Sequence, residues 1–292
     1  MENGRPSVET RLILCDIDRT IVPWGASRVS ERTHAAFLSA MRAGIACGPA
    51  TGRGIDWVPP FFDGDERCCD TCVATNGNQV FLEGEQIREA EMCDLLAPAA
   101  EVVREVEGAG LIAFDGATPV LVEGTVEDLS ACFLAYGRTC RHASDGSGVG
   151  LPGFHVSKAS AFLSARRADG TLGPAAEGPT RELVGRLNEC VSGLDFDYPQ
   201  PGYSNVMPTG WSKASGIRAL VEAMGITMEQ VVVFGDAGND IPMFEAVPNS
   251  VAVANATGEA AAAARWHIGA CEDDAVAEAI ERLAAGEWPF SE

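Results

Sequence analysis

Two aspartates stand where the first apolar run of the sequence ends. The stretch "LILCDIDRTIV" places Asp16 and Asp18 directly after a run that is typical of a buried strand. Each carboxylate raises the cost of ionising the other, and a carboxylate at the end of an apolar run is costly unless it is paired or binds a metal. The pattern therefore favours a site with a cation.

Three further stretches have residue types that could do chemistry. They are Thr51-Gly52-Arg53, the single Lys213 at the start of a helical pattern, and "GDAGND", which contains Asp236, Asn239 and Asp240. Each alone is equally compatible with a surface turn or a solvated charge. All of them lie at predicted strand ends or helix starts, and these positions converge at the carboxyl edge of a parallel α/β sheet, where ligands bind.

Together, these stretches predict a site for phosphoryl transfer. Asp16, Asp18, Asp236 and Asp240 would form an all-oxygen pocket, which suits Mg²⁺. The Thr51 hydroxyl, the backbone N–H groups after it and the Lys213 ammonium would supply donors for an anion beside the metal. The cofactor that we predict is therefore Mg²⁺.

The elements that must position these residues alternate between strand and helix. Residues 1–83 and 206–292 show strand patterns at "RLILCD", "IACGPA", "VVVFGD" and "SVAVANA", with helical patterns between and after them. This alternation predicts an α/β fold with a doubly wound parallel sheet. Residues 84–205 mix helical and strand patterns with the Gly-rich breaks "SDGSGVGLPG" and "DGTLGPAAEGP". We interpret them as a separate α+β unit inserted into the first.

Composition excludes several classes of protein. The 292 residues have a formal net charge of −21, which disfavours nucleic acid and anionic lipid as partners. No apolar run approaches the roughly 20 residues of a membrane span, and "MENGRPSVETR" lacks the apolar core of a signal peptide. We expect a cytoplasmic protein whose partner is a small phosphorylated metabolite. The sequence does not predict an oligomeric state.

Ten cysteines are scattered along the chain, and Cys69 and Cys72 form a CxxC pair. Such a pair could take part in redox chemistry or supply half of a zinc site. No second CxxC or His-x-His pair follows at the spacing of a zinc finger. Several cysteines lie in apolar stretches, so the pattern favours reduced, structural cysteines.

In the order of its motifs, the sequence resembles the Cof-type phosphatases of the haloacid dehalogenase superfamily. The resemblance rests on "DIDRT", "ATGR", "ATNGNQV", "GWSKASGI", "GDAGNDIPMF" and "VAVANA", and it covers nearly the whole length. "GDAGND" and "VAVANA" are also similar to sucrose-phosphatase-like relatives. The resemblance implies a Rossmann-like core with a large α/β cap that selects the substrate.

The resemblance also implies a role for each residue of "DIDRT" and "ATGR" that matches the family. Asp16 would be the nucleophile that forms an aspartyl phosphate, and Asp18 the general acid and base, whose backbone carbonyl also binds Mg²⁺. Thr51 would bind the phosphoryl oxygens, with Gly52 and Arg53 beside it in the phosphate-binding segment.

The C-terminal motifs complete the implied site. Lys213 would neutralise Asp16 and bind the phosphate, and Asp236 would bind Mg²⁺. Asp240 would support the metal directly, through water or through Lys213. Asn239 would help to place the phosphate.

Arg19 departs from the family, which usually has glycine at this position. If the position mainly offers a backbone N–H to the phosphate, Arg19 could still do so provided that its φ is negative. Its side chain would then point to solvent or reach toward the substrate.

We therefore expect a Mg²⁺-dependent phosphatase that acts on a small phosphomonoester, with a sugar phosphate as the expected class. A phosphomutase of the same superfamily is the close alternative. A phosphorylatable signalling receiver also uses a strand-end Asp, acidic metal ligands, a Thr and a Lys, but it lacks an insertion of this size. A catalytically idle binding protein is disfavoured because every catalytic position is filled.

Overall fold

The structure is a computed structural model that describes residues 9–142 and 153–291, and most of the predicted break "SDGSGVGLPG" lies outside these residues. The chain divides into two compact units, one running up to Arg88 and from Ser212 onwards, the other from Glu89 to Trp211. The second unit begins and ends several residues later than the predicted insertion, 84–205. The strand Glu85–Glu89 pairs with the strand Gln79–Leu82 of the first unit, and the strand Tyr203–Pro208 pairs within the second.

The elements are numbered in chain order over the described residues. The strands are β1 (Leu12–Cys15), β2 (Ala46–Pro49), β3 (Cys72–Ala74), β4 (Gln79–Leu82), β5 (Glu85–Glu89), β6 (Ala109–Asp115), β7 (Thr118–Glu123), β8 (Arg141–His142), β9 (Ala159–Arg166), β10 (Leu172–Pro174), β11 (Leu194–Phe196), β12 (Tyr203–Pro208), β13 (Val231–Gly235), β14 (Asn249–Ala252) and β15 (Trp266–His267). The α-helices are α1 (Glu31–Arg42), α2 (Leu96–Arg104), α3 (Val126–Cys132), α4 (Leu134–Thr139), α5 (Glu177–Cys190), α6 (Lys213–Met224), α7 (Ile241–Ala246), α8 (Gly258–Ala263) and α9 (Ala275–Ala284).

The first unit is built on a parallel sheet with the strand order β15-β14-β13-β1-β2. Successive residues of β1 point to opposite faces, as strand geometry requires. Ile13 and Cys15 pack in the core cluster that includes residues of α1 and α9, whereas Leu12 and Leu14 pack in the cluster that includes residues of α6, α7 and α8. The prediction of a doubly wound parallel α/β sheet is confirmed.

Polar caps fix the helices that lead into the site. The Ser30 hydroxyl accepts a hydrogen bond from the Thr33 N–H and caps the start of α1. Ser212 and Ser215 cap each other's backbone N–H groups and begin α6, so that Lys213 is its first residue. The short helix α8 and strand β15 were not predicted from the sequence, because neither is long enough to show a period.

A second, three-stranded sheet of the same unit has the order β3-β4-β5. β3 and β4 are antiparallel and joined by a turn that contains Asn76 and Gly77. Both residues have positive φ, 54° for Asn76 and 96° for Gly77. A Cβ on Gly77 would collide with the backbone carbonyl of Ser212, so this glycine allows the turn to pack against the start of α6.

The second unit is an α+β domain with a sheet ordered β11-β12-β9-β6-β7-β8, and β10 pairs with β9. One face of this sheet packs with residues of α2 and α5 in a separate core cluster. The strand patterns of this region, at "TPVLVEG" and "FHVSKASAFLSAR", correspond to β7 and β9. Strands β6 and β12 were not predicted. The role of this unit as a substrate-selecting cap stays a prediction.

All ten cysteines lie among the described residues and are free thiols, six of them buried. Cys69 and Cys72 are not joined to each other. Within residues 9–142 and 153–291, none of the helices combines the length and apolar character that a bilayer crossing requires.

Candidate active site

Three carboxylates and one ammonium meet at the carboxyl edge of the parallel sheet. Asp16 follows β1 and Asp236 follows β13, and the two strands are neighbours, with the Asp16 N–H donating to the Phe234 carbonyl at 2.9 Å. Asp240 ends a 3₁₀ turn after β13, and Lys213 begins α6. All four are buried, with Lys213 and Asp240 fully shielded from solvent.

Lys213 joins two of these carboxylates directly. Its Nζ donates to Asp16 Oδ1 and to Asp240 Oδ1, each at 2.6 Å. The other Asp240 oxygen, Oδ2, accepts from the backbone N–H groups of Asp236 at 2.9 Å and Ala237 at 3.0 Å. Both Asp240 oxygens are therefore engaged by the protein, which suits a residue that positions Lys213 and the turn after β13.

Gly235 is required by this arrangement. A Cβ at position 235 would lie 2.5 Å from the Asp240 carboxyl group, closer than real Cβ contacts allow. The glycine of "GDAGND" thus lets the turn close tightly over the end of β13.

The carboxylates hold more negative charge than Lys213 can balance. Burial, followed by the neighbouring Asp240, raises the pKa of Asp236 to about 7, although Arg19 and Lys213 oppose this shift. Burial also raises the pKa of Asp16 well above its ordinary value, against the attraction of Lys213. For Lys213, burial lowers the pKa, but the attraction of Asp16 and Asp240 outweighs it, and the ammonium form is favoured.

The donor set fits a hard divalent cation. Asp16, Asp236 and Asp240 each offer a carboxylate oxygen, and these oxygens all lie within 4.8 Å of one another. Mg²⁺ prefers oxygen ligands, and a divalent charge would balance the ionised forms of Asp16 and Asp236. Because Asp240 is engaged elsewhere, Asp16 and Asp236 are the side chains best able to hold the ion, with the Asp18 backbone carbonyl as the third predicted ligand.

The raised pKa of Asp236 predicts how stability changes with pH when no metal is bound. An aspartate has a pKa of about 3.9 in an unfolded chain, and the value here is about 7. A carboxyl whose pKa is raised by folding contributes stability that is present below the unfolded pKa and is lost as pH rises through the folded pKa. The melting temperature of the metal-free protein should therefore fall as pH rises from about 4 to above 7.

Thermal melts of chelator-treated protein across this pH range, with and without excess Mg²⁺, test this expectation. Mg²⁺ should raise the melting temperature most at the alkaline end, because the ion binds the ionised carboxylates. Asp236→Asn should flatten the pH dependence. A metal-free melting temperature that rises steadily between pH 5 and 8 would contradict the assignment.

Thr51 lies at the end of β2, as predicted, with its N–H bonded to the Val73 carbonyl at 2.8 Å. Its hydroxyl accepts from the Arg53 N–H at 3.1 Å. The Asn76 side chain lies against Gly52 and accepts a hydrogen bond from Asn239 Nδ2 at 3.3 Å. Asn76 therefore links the two predicted phosphate-binding segments.

Asp18 and Arg53 form an ion pair. Arg53 Nε donates to Asp18 Oδ2 at 2.8 Å and its Nη2 donates to Oδ1 at 2.7 Å. The same guanidinium lies over the Phe61 ring, 4.7 Å from the centroid. The Asp18 side chain is about half exposed and is not among the clustered carboxylates. The predicted substrate-binding arginine thus contacts the predicted general acid.

Arg19 does not meet the condition of a negative φ under which its N–H could serve a phosphate. Its φ is +62°, and its N–H donates to the Val22 carbonyl at 2.8 Å, so this group is not offered to a phosphate. The side chain reaches Asp236, with Nη1 3.7 Å from Oδ2. Asn255 contacts both the side chain and the backbone of Arg19. Its backbone carbonyl accepts from Arg19 Nη2 at 3.1 Å, and its side-chain Nδ2 donates to the Arg19 carbonyl at 2.7 Å.

Arg19→Gly should tighten Mg²⁺ binding. Glycine adopts positive φ without the cost of about 1 kcal/mol that other residues bear, and the change removes a cation that faces Asp236. We expect the dissociation constant for Mg²⁺ to fall by about two- to fivefold, since a half-exposed ion pair contributes up to about 1 kcal/mol.

Calorimetric titration of metal-free protein with Mg²⁺ measures the effect of Arg19→Gly. Arg28→Ala is the matched control, because Arg28 pairs with the exposed Asp63 and not with the site. Weaker Mg²⁺ binding in Arg19→Gly would show that Arg19 helps the cation to bind.

Three basic residues of the second unit have local partners. His155 pairs with Glu89 and Glu91, Lys158 is buried with its Nζ 5.2 Å from the Phe114 ring centroid, and Arg166 donates to the Gly170 carbonyl. These contacts account for their positions without a ligand.

Comparisons with known proteins agree with the fold and the motifs. The sequence profile of the haloacid dehalogenase-like hydrolase family matches residues 13–104 and 177–280. A phosphoglycolate phosphatase of Methanosarcina acetivorans is 40% identical over 84 residues, 29% of this chain. The Escherichia coli protein YbjI, a 5-amino-6-(5-phospho-D-ribitylamino)uracil phosphatase, is 36% identical over 91 residues, 31% of this chain. The matched segments span only 37% and 34% of these relatives.

Among solved structures, the subclass IIB sugar phosphatase BT4131 is similar over 93% of this chain and 98% of its own, with a TM-score of 0.74 and 20% identity. This likeness shows a shared fold. The family profile covers both halves of the first unit and part of the second, including every residue of the candidate site. The chain belongs to the haloacid dehalogenase-like hydrolases.

Proposed function

We propose that this protein is a Mg²⁺-dependent phosphatase that hydrolyses a small phosphomonoester, with a sugar phosphate as the expected substrate class. The observation that carries the proposal is the buried contact of Lys213 with Asp16 and Asp240, beside Asp236. A nucleophile, a fixed cation and an all-oxygen cation site are the groups that phosphoryl transfer requires. The relatives named above that are phosphatases support the same class of reaction.

Mg²⁺, when bound, would neutralise the carboxylates and the charge that develops on the phosphoryl oxygens. The protein's own residues would do the rest. An Asp16 oxygen attacks phosphorus while the bond to the leaving oxygen breaks, and Asp18 gives that oxygen a proton. Water then attacks phosphorus, Asp18 takes a proton from it, and the Asp16 carboxylate leaves.

Lys213 would orient the nucleophile and stay charged through both steps. It is fully buried and donates to one Asp16 oxygen, so the carboxylate is held in a single orientation before the substrate arrives. Asp240, held by two backbone N–H groups, keeps the ammonium in place. The Thr51 hydroxyl and Asn239 amide would donate to the phosphoryl oxygens.

The ion pair between Asp18 and Arg53 bears on the proton transfer. Both Asp18 oxygens accept from Arg53, so at least one of these hydrogen bonds must open before Asp18 can give a proton to a leaving group. Arg53 would then be available to the substrate. We propose that the second unit selects the leaving group.

A screen of phosphorylated metabolites with phosphate release as the readout tests the proposed function. Hydrolysis of a sugar phosphate supports it, whereas conversion between sugar phosphate isomers without phosphate release would indicate a mutase. A single stable phosphorylation event without turnover would indicate a receiver.

Removal of the metal should abolish turnover of p-nitrophenyl phosphate. Without a cation, the buried carboxylates repel the phosphate dianion. Mg²⁺ should restore activity to the chelated enzyme, and Ca²⁺ should restore it poorly because its larger and looser coordination shell would misplace the phosphate. Full activity in excess chelator would refute the metal assignment.

A further inference from the structure

A second group of metal-ligating side chains lies in the first unit and shares no residue with the carboxylate site. It consists of His34, Asp65 and Cys68, whose ligand atoms all lie within 4.8 Å of one another. His34 Nε2 and Asp65 Oδ2 are 3.0 Å apart. The three residues offer a nitrogen, an oxygen and a sulfur, unlike the all-oxygen set of the carboxylate site.

Local structure fixes each of the three ligands. His34 lies in the first turn of α1, and its ring packs against Phe62 with centroids 6.2 Å apart. Asp65 caps the 3₁₀ turn Glu66–Cys68. Residues i and i+3 of a 3₁₀ turn lie on the same side, so Asp65 and Cys68 face the helix together. The site is therefore assembled before any ion binds.

The hydrogen bonds of Asp65 leave a direction open toward His34. Arg67 donates hydrogen bonds to both carboxylate oxygens of Asp65, from Nε to Oδ1 at 2.8 Å and from Nη2 to Oδ2 at 2.6 Å. Oδ2 also contacts His34 Nε2 at 3.0 Å. With the imidazole proton on Nδ1, the Nε2 lone pair is available to an ion, and Cys68 Sγ lies within 4.8 Å of both atoms.

The spacing agrees with a tetrahedral ion. Two ligands about 2.0–2.2 Å from Zn²⁺ at a tetrahedral angle lie about 3.3 Å apart, close to the 3.0 Å between His34 Nε2 and Asp65 Oδ2. An ionised carboxylate and a thiolate would together balance a divalent charge, and Arg67 would remain paired with Asp65. A thiolate and an imidazole are softer ligands than Mg²⁺ or Ca²⁺ prefers.

We propose that His34, Asp65 and Cys68 form a Zn²⁺ site, with water as the fourth ligand. On binding, the three side chains replace waters of the hydrated ion, the imidazole proton resides on His34 Nδ1, and the Cys68 thiol proton passes to solvent. His34 also lines a cavity of about 370 Å³, together with Arg28 and Asp63.

The proposed ion would fasten α1 to the long connection between β2 and β3. This connection contains three 3₁₀ turns and no strand or α-helix between Ala50 and Thr71, and it includes Thr51 and Arg53. An ion that links two residues 31 positions apart in sequence, His34 and Asp65, restrains such a loop more than a local contact does. The inference is independent of the proposed phosphatase activity.

Titration of the metal-free full chain with Co²⁺ in excess Mg²⁺ tests the site. Excess Mg²⁺ would fill the proposed carboxylate site, and only a cysteine ligand gives Co²⁺ a thiolate charge-transfer absorption in the near ultraviolet. We expect one equivalent of Co²⁺ to produce this band and Zn²⁺ to remove it. Cys68→Ser should eliminate the band, and the matched control Cys69→Ser, which changes a neighbouring buried thiol, should retain it.

His34→Gln provides a second variant at a partly exposed position, and circular dichroism checks that each variant is folded. We expect His34→Gln to weaken Co²⁺ binding by at least about tenfold. The proposal is overturned if the wild-type protein gives no thiolate band, if the band survives Cys68→Ser, or if His34→Gln binds Co²⁺ as tightly as the wild type.

Discussion

Asp16→Asn is expected to reduce kcat by on the order of 10⁴- to 10⁶-fold for every substrate, the range seen when one member of a catalytic triad is removed. An amide is a poor nucleophile and a weaker ligand for the cation. The fold should survive, because the change removes a buried carboxyl whose ionisation burial opposes, and Lys213 keeps its bond to Asp240.

Steady-state kinetics and a thermal melt measure the two parts of this prediction. Asp56→Asn is the matched control, since it removes the same charge from an exposed position of the same unit. Asp56→Asn should leave kcat unchanged. An Asp16→Asn variant that is folded and retains a tenth of the wild-type rate would rule out Asp16 as the nucleophile.

Asp18→Asn should separate substrates by their leaving groups. General acid–base catalysis typically accelerates a reaction by about 10²- to 10⁴-fold. A sugar alkoxide needs the proton from Asp18, whereas nitrophenolate leaves without it. With p-nitrophenyl phosphate the first step should survive and hydrolysis of the aspartyl phosphate should become limiting, giving a burst of about one equivalent of nitrophenol per site and then slow turnover.

With a sugar phosphate, the same Asp18→Asn variant should show neither a burst nor a useful rate. Mg²⁺ affinity should change little, because the backbone carbonyl at position 18 is retained. Stopped-flow absorbance follows the burst, and calorimetry follows the metal. Wild-type turnover of both substrates by Asp18→Asn would mean that this carboxylate is not the acid and base.

The sequence predicted the parallel sheet and the residues that gather at its carboxyl edge for a physical reason. Asp16 and Asp236 each end an apolar run, and parallel strands bring such ends together. Lys213 begins a helix with a clear cap, so its position was also predictable. The structure brings these residues together, and their catalytic roles stay predictions.

Other features depend on residues that are distant in sequence. The positive φ of Arg19 is accompanied by its two hydrogen bonds with Asn255, 236 positions away. The pairing of Arg53 with Asp18 is visible only once two loops are placed side by side. Sequence spacing does not reveal the group of His34, Asp65 and Cys68, because His34 lies on a helix and Cys68 in a loop.

The boundaries of the second unit also depend on contacts between residues that are distant in sequence. Strand β5 is exposed along most of its length, so its pattern did not reveal that it pairs in the first unit. Strand β12 carries buried residues on both faces, and such a run lacks the alternation that marks a half-buried strand. Pairing partners, which the sequence does not show, set both boundaries.

The most direct test of the central claim is to trap the phosphorylated enzyme. Asp18→Asn protein with Mg²⁺ and p-nitrophenyl phosphate is quenched in acid during the burst, digested and analysed by mass spectrometry. We predict one phosphoryl group per chain on the peptide that contains Asp16, and none in the Asp16→Asn/Asp18→Asn double variant. A burst with the phosphoryl group on another residue, or turnover by Asp18→Asn with no covalent phosphate at any time, would contradict the account.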